Sequence, residues 1–572
     1  MIEATGAQII IKLLEQQNIK TVAGIPGGSV LPLYDELARS SINHILVRHE
    51  QAAGFIAQGI ARTTGLPAVC IATSGPGAMN LLTAIADARS DSIPLVAITG
   101  QVNTSLIGTD AFQEADTFGL SFPITKHSIL VKSAKELLTA IPQAFAIASS
   151  GRCGPVLVDI PRDVQLEKIT FESWPECGVK DNHYARFRTV GEKLAKAIEE
   201  AVSLLLNSRK PVIFAGGGCN SVLSAKGIKT LQEIFPMPVV TSLMGIGAFP
   251  ASSSLNLGMV GMHGSMASNT AMHDADVILA MGVRFDDRAT GVISKFCPNA
   301  KIIHVDIDAA EVNKIFQSSV AVISDVESFL PALVCALQEK ISLLSDDEKT
   351  QDRKDWAEKL AKIHQEDKER INNPGRFISS IPSLAESAGI NPNDIIVTTD
   401  VGQHQMWTAQ YYPIENPRQL LTSGCLGTMG FGLPAAIGVA LANPDKRVIC
   451  FSGDGSIMMN VQEMATLAEH NLDVTIVVLD NGALGMVRQQ QEILFDKNYS
   501  ASIYSKSPNL MKIAEGFGIE AVDVYTPNWN KIAFPKKGSG PRFVHCPIEM
   551  AELVLPFVPA GKANIEAICS ME

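Results

Sequence analysis

Residues 447–481 read RVICFSGDGSIMMNVQEMATLAEHNLDVTIVVLDN. An apolar, β-branched run from Val448 to Phe451 meets a turn, Gly453-Asp454-Gly455-Ser456. Met458, Val461, Met464 and Leu467 or Leu472 then recur at helical spacing. A second buried-strand run, Val474 to Leu479, ends in Asp480 and Asn481. The stretch predicts a strand-helix-strand crossover, which is right-handed and puts both strands parallel in one sheet. Asp454 then ends one strand and Asn481 the other, at the carboxyl edge where open α/β sheets bind ligands. A carboxylate, an amide oxygen and a helix N-terminus rich in glycine are the parts for a hard cation and a phosphate. An N-capped turn would account for Gly453 to Ser456 alone. Asn481 at the end of the next strand argues for the ion site.

A chain of 572 residues exceeds one core, and about three or four domains are expected. Hydrophobic content of 46% against 19% charged describes a packed globular protein. Lys plus Arg is 47 against 59 Asp plus Glu, which argues against a general nucleic-acid binder. The first twenty residues read as an amphipathic helix with no signal peptide, and no apolar run is long enough for a membrane span. Ten cysteines without CxxC pairs read as reduced core thiols of a cytosolic protein.

Outward from 447–481, strand and helix patterns alternate along the chain. In residues 1–185, Thr21 to Ala23 leads into Gly24-Ile25-Pro26-Gly27-Gly28, and Ile45 to Val47 ends in Arg48-His49-Glu50. Pro67 to Thr73 ends in Ser74-Gly75-Pro76-Gly77 before a helix from Ala78, and Pro94 to Thr99 is a further strand. VCIATSGPG (69–77) echoes VICFSGDGS (448–456), which suggests two related sheet domains. Residues 186–345 form a middle α/β domain. It has a helix Val190 to Asn207, a strand Pro211 to Ala215 before Gly216-Gly217-Gly218, and strands Val277 to Met281 and Lys301 to Val305. The triple glycine is no GxGxxG fingerprint. Residues 346–376 are dense in charge and read as a solvated helix and linker. Residues 377–572 form the last domain. Its tail beyond Met550 reads as an irregular lid or an extension over a partner. The fold class is α/β, with three doubly wound parallel-sheet domains.

GDGS with Asn481 resembles the signature of thiamine-diphosphate enzymes. Arg48-His49-Glu50, Thr73 to Gly77, GTDAFQEAD (108–116), VRFDDR (283–288), DVGQHQ (400–405) and LGTMGFGLP (426–434) sharpen it. Together they resemble the catalytic subunit of the acetohydroxyacid (acetolactate) synthase family, in order and over nearly the whole chain. The resemblance implies thiamine diphosphate and Mg²⁺, the metal held by Asp454, Asn481 and the carbonyl of Ala483. Pro26, Gly27, Gly402, Gln403, His404, Gly427, Gly453, Gly455, Ser456 and Met486 would contact the thiamine cofactor. Met429 would be the apolar wedge that bends it. Glu50 would be the carboxylic acid that hydrogen-bonds its aminopyrimidine N1′; by residues alone, Glu50 could instead pair with Arg48. The resemblance further implies FAD, held non-catalytically by Arg152, Gly216, Gly217, Gly218, Thr241, Leu243, Met262, His263, Gly264, Arg284, Asp306, Ile307 and Asp325.

The implied reaction is decarboxylation of pyruvate and carboligation of its two-carbon unit to a second 2-oxoacid, in branched-chain amino acid biosynthesis. Phe112 and Gln113 would line that pocket. Arg288 would bind the second substrate's carboxylate, for which its planar fork is suited; alternatively it pairs with Asp286 or Asp287. The family pattern also implies a homodimer or homotetramer with sites between chains, and a possible small regulatory subunit. A pyruvate oxidase-like enzyme and a non-catalytic nucleotide-binding regulatory protein are the alternatives. Five positions depart from the pattern: Gln490 stands where a tryptophan is usual, Leu494 for an aromatic, Arg162 for Lys, Ile25 for Tyr and Cys153 for Pro.

Overall fold

The computed structural model describes residues 1–176, 188–341 and 348–570. The expected domain limits at 185/186 and 345/346 lie outside the described residues. The first domain holds β1 (Ile2–Thr5), β2 (Thr21–Gly24), β3 (Asn43–Leu46), β4 (Ala68–Ala72), β5 (Leu95–Gln101), β6 (His127–Leu130), β7 (Pro155–Pro161) and β8 (Lys168–Phe171). Six of these form a parallel sheet in the order β3-β2-β4-β5-β7-β6, while β1 and β8 pair antiparallel. The expectation of one helix from the first residue is corrected. Residues 2–5 are β1, and the helix Gly6–Gln16 starts after a capping box at Thr5.

The middle domain holds β9 (Pro211–Ala215), β10 (Val239–Thr241), β11 (Asn256–Met259), β12 (Val277–Met281), β13 (Lys301–Asp306) and β14 (Val320–Ile323), in the order β11-β10-β9-β12-β13-β14. The last holds β15 (Ile395–Thr399), β16 (Leu420–Leu421), β17 (Arg447–Gly453), β18 (Val474–Asp480), β19 (Glu520–Asp523) and β20 (Arg542–Pro547), in the order β16-β15-β17-β18-β20-β19. Both sheets are parallel throughout. β17 and β18 are neighbours, as the crossover requires.

Further expectations are refined or changed. The crossover helix is broken: Asp454–Ile457 and Glu463–Glu469 are separate helices. Asn460 lies in the break, where its side chain donates to the Gly430 carbonyl at 2.7 Å, and Met458 points out to solvent. The charged stretch is helical over Glu348–Glu369, as expected, but that helix is not wholly solvated; it buries Trp356 and Leu360 against the middle domain. Of the two readings of the tail, the irregular cover is the one seen, lying over its own chain, where Val558 N–H donates to Met262 O at 2.9 Å and Asn564 Nδ2 to Ala289 O at 2.8 Å. Nine cysteines are free thiols, but Cys335 and Cys425 are exposed and not core; Cys177 lies outside the described residues.

The first and last domains share one core. Ile56 and Leu81 pack with Leu433, Ile437, Val448, Met464 and Val474. Helices Glu50–Thr64 and Gly432–Ala442 touch backbone to backbone. A Cβ on Gly59 would lie 2.2 Å from the Ala435 carbonyl oxygen, and one on Gly438 would lie 2.1 Å from that of Ile56.

Inside the first sheet, Asp159 on β7 accepts from Thr99 Oγ1 at 2.7 Å and Gln101 Nε2 at 3.1 Å. Burial pushes its carboxyl up to about 7. Its contribution to stability is therefore full below the ordinary carboxylate value and lost as the pH rises through about 7. We expect the urea midpoint to fall between pH 5 and pH 8, and Asp159→Asn to flatten that slope. An unchanged slope in the variant would refute this assignment.

Candidate functional site

The carboxyl ends of β15, β17 and β18 open onto a cavity of ≈ 1090 Å³, which the middle domain closes from the other side. Single ligand pockets run to roughly 300–1,000 Å³, so this space suits more than one small molecule. Its last-domain wall includes Gly402, Gln403, His404, Gly427, Met429, Gly453, Asp454, Gly455, Ser456, Asn481, Ala483, Met486 and Gln490.

Asp454 is the first residue of its helix and is buried. Among the described residues its Oδ2 has no hydrogen-bond partner, and Oδ1 accepts from Gly455 N–H at 3.1 Å. Burial first, and then the facing Asp480 carboxylate, push Asp454 up to about 7. Asp480 moves the other way because His545 hydrogen-bonds it. His545 Nε2 lies 3.0 Å from Asp480 and Nδ1 lies 2.8 Å from Asp523. Asp480 Oδ1 also accepts from Gly482 N–H at 3.1 Å, which shapes the turn that presents Asn481 and Ala483. An orphaned carboxylate oxygen, an amide oxygen and a carbonyl on two adjacent strand ends fit a divalent cation that takes its remaining ligands from phosphate and water. Among the described residues the sequence had not singled out Asp480 or His545. The acidic residue beside Asn481 was the only available signal.

The second strand-end loop fits an anion. His404 is buried with Nε2 unpartnered, and burial depresses its basicity to about 3, so the ring is neutral. Gln403 does not offer its side chain to the cavity as expected. Oε1 accepts from Asn481 Nδ2 at 3.0 Å, and Nε2 donates to Gln489 Oε1 and to the Glu552 carbonyl, both at 2.9 Å. Beside the His404 ring, main-chain N–H groups at the start of helix Gln403–Tyr411 remain for an anion there.

The middle-domain wall includes Gly217, Gly218, Leu243, Met262, His263, Arg284, Arg288, Asp306, Ile307 and Asp325, and the first domain adds Arg152. Gly216, Thr241 and Gly264 do not line it. A Cβ on Gly218 would lie 2.8 Å from Gly282 Cα, so the loops after β9 and β12 pack backbone to backbone and floor this side of the cavity. Burial pushes Asp306 up to about 6. Arg152 is held by Glu311 at 2.7 Å and Asp308 at 3.3 Å. Arg288 reaches the cavity with its guanidinium mostly exposed, 3.7 Å from Asp287, while Asp286 caps the local helix.

Glu50, Pro26, Gly27, Phe112 and Gln113 do not line this cavity. They gather instead at the carboxyl edge of the first sheet. Glu50 opens helix Glu50–Thr64, half-buried, and accepts from Asn80 Nδ2 at 2.9 Å. It does not pair with Arg48, which bonds Glu469 at 2.6 Å. Gly75 has φ 61° and touches the Gln113 backbone, and Gly27 fits against Thr73. Phe112 is 88% exposed.

Three family models match in succession: thiamine pyrophosphate enzyme, N-terminal TPP binding domain over residues 4–120, central domain over 198–333, and C-terminal TPP binding domain over 400–546. The chain is 49% identical to the acetolactate synthase isozyme 1 large subunit of Escherichia coli (strain K12), over 99% of this chain and 97% of that protein. It is 43% identical to the isozyme 2 large subunit of the same organism, over 98% and 99%. Identity with the probable acetolactate synthase large subunit of Methanocaldococcus jannaschii is 42%, over 97% and 94%. Similarity of that depth along three domains, each with its own parallel sheet, makes this chain a member of the acetolactate synthase large-subunit family of thiamine pyrophosphate enzymes.

Proposed function

We propose that this chain is the catalytic subunit of an acetolactate synthase that joins two pyruvate molecules with loss of CO₂. The observation that carries the reading is the unpartnered Asp454 Oδ2 beside Asn481 and Ala483, at the mouth of a cavity that also holds Met429. Asp454, Asn481 and the Ala483 carbonyl would hold Mg²⁺. Gly453, Gly455, Ser456, Gly402 and His404 would hold the cofactor's diphosphate. When bound, thiamine diphosphate supplies a nucleophilic carbon and an electron sink for decarboxylation and transfer of the two-carbon unit. Glu50 would hold a proton at the aminopyrimidine N1′, and Met429 would fix the bend of the cofactor. Gln113 would orient the acceptor and Arg288 its carboxylate. The middle-domain floor would bind FAD through Gly217, Gly218, Arg284 and Asp306.

Glu50 and Asp454 serve one reaction here from two separate edges. A two-fold dimer resolves this, because it brings the Glu50 edge of one protomer onto the Asp454 cavity of the other. Exposed apolar side chains at both edges support it: Leu106, Ile107, Phe112, Phe118 and Phe122 at the first, Leu426, Met458 and Met459 at the second. The relatives are named large subunits, so a small subunit is the further partner proposed. Free thiols fit a reducing compartment such as the cytoplasm. No helix among the described residues is long and apolar enough to cross a membrane.

The test is acetolactate formation from pyruvate with thiamine diphosphate, Mg²⁺ and FAD each added or omitted. Activity that needs no thiamine diphosphate would overturn the reading, and pyruvate-dependent peroxide would make the enzyme an oxidase.

Gln490 lies exposed in the cavity wall, on helix Gly485–Leu494. An added methylene against an apolar wall is worth about 1–3 kcal/mol, and an amide in place of an indole removes that wall. We expect no marked preference for 2-oxobutanoate over pyruvate as acceptor, and Gln490→Trp to create one. A competition assay that finds strong 2-oxobutanoate preference in the natural enzyme would sink this.

A further inference from the structure

Met429 lies in an irregular segment, Ser423 to Gly430, between β16 and helix Gly432–Ala442. No helix or strand fixes it. It is fixed instead by two aspartates of the first domain, on helix Pro76–Ser90 and just past its end. Asp87 Oδ1 accepts from Ser423 Oγ, and from Thr428 Oγ1 at 2.9 Å. Thr428 N–H donates in turn to Ser423 Oγ at 2.8 Å. Asp91 accepts from the N–H groups of Gly424 and Cys425, both at 2.9 Å. Arg62 holds both carboxylates, at 3.3 Å from Asp87 and 2.8 Å from Asp91, and donates to the Thr422 carbonyl at 2.9 Å. The side chains of Asp87 and Asp91 are fully buried and that of Arg62 nearly so. At the far end, Asp400 Oδ1 accepts from Gly430 N–H at 2.8 Å. Between the two anchors, Gly427 and Met429 face the cavity.

A buried ion cluster is a poor source of net stability, since apolar side chains of the same volume often do as well. What two carboxylates and one guanidinium add is direction. Four donors of the segment converge on fixed oxygen positions, which an apolar contact would not specify. We propose that Asp87 and Asp91, oriented by Arg62, are positioning residues for the reaction, and that they set how far Met429 stands into the cofactor cavity. This rests on the proposed role of Met429 against thiamine diphosphate. It assigns to the first domain a second duty, in the site of its own chain, apart from the one given to Glu50.

The test uses the holoenzyme with thiamine diphosphate and Mg²⁺. Thr428→Val keeps the side-chain shape and deletes one donor to Asp87; Thr428→Ser keeps the donor; Asp87→Asn changes the acceptor. Three quantities are read: the rate of deuterium exchange at the cofactor's C2 position, cofactor Kd, and the melting temperature. Losing a hydrogen bond to a charged group corresponds to about a tenfold effect. Thr428→Val should slow C2 exchange and kcat together by about that factor, with Kd nearly unchanged and the fold intact. Thr428→Ser should match the natural enzyme, and Asp87→Asn, if it folds, should exceed Thr428→Val. Natural exchange rates in Thr428→Val, or equal losses in Thr428→Ser, would overturn the positioning role. If the natural enzyme exchanges C2 no faster than free cofactor, the proposed function itself fails, whatever the variants do.

Discussion

Glu50→Gln is expected to lower acetolactate formation from pyruvate by roughly 10²–10⁴-fold. Glutamine keeps the size of the side chain and its bond partner, Asn80. It cannot hold or return a proton at N1′, so the loss should fall on kcat and not on cofactor affinity. Space for the carboxyl is built in: a Cβ on Gly77 would lie 3.3 Å from Glu50 Oε1. The same variant tests the two-chain site. Mixed with an inactive Asp454 variant, it should regain activity, because a mixed dimer has one site with both natural residues. Random pairing sets the ceiling at about a quarter of natural activity. No recovery on mixing, after subunit exchange is verified, would place Glu50 and Asp454 in the same chain's site.

Asp454→Asn should be at least as damaging, and through binding. Losing groups that merely orient a metal ligand costs about 10–100-fold in affinity, and Asp454 is proposed as a ligand itself. Mg²⁺-dependent retention of thiamine diphosphate should therefore weaken by on the order of 10²-fold or more. The metal-free variant should gain stability. In the natural chain Asp454 and Asp480 face each other, and His545 hydrogen-bonds Asp480 and not Asp454. Removing one carboxylate of the pair relieves that repulsion, so the melting temperature without Mg²⁺ should rise at pH 8. Added Mn²⁺ should then no longer raise it, which calorimetry reads without any activity. A variant that binds Mn²⁺ as tightly as the natural chain would remove Asp454 from the ligand set.

The fold was largely legible because its strands are buried on both faces. Runs such as Val448 to Phe451 and Val474 to Leu479 carry β-branched residues without polar alternation, and glycine turns follow them. The errors sit where partners are remote in sequence. Residues 2–5 form a strand only because Lys168–Phe171 lies alongside. Met458, Val461, Met464 and Leu467 keep helical spacing, yet Asn460 breaks the helix to reach Gly430. In residues 348–369, Trp356, Leu360 and Ile363 make a stripe of three at helical spacing, which the surrounding charge hides.

The site follows the same division. Asp454 and Asn481 were legible because one crossover carries both. Asp480 with His545 and Asp523, and Arg62 with Asp87 and Asp91, were not, since no short motif joins residues brought together by different strands and domains. Gln403 lies in the strand-end loop, but its side chain holds Asn481 and does not face the cavity's anion position.

The glycine contacts between helices Glu50–Thr64 and Gly432–Ala442 have a mechanical consequence. Gly59 and Gly438 leave no side-chain layer to compress or slide over, so small shear between the helices drives backbone into backbone. The first and last domains must then travel as one rigid block.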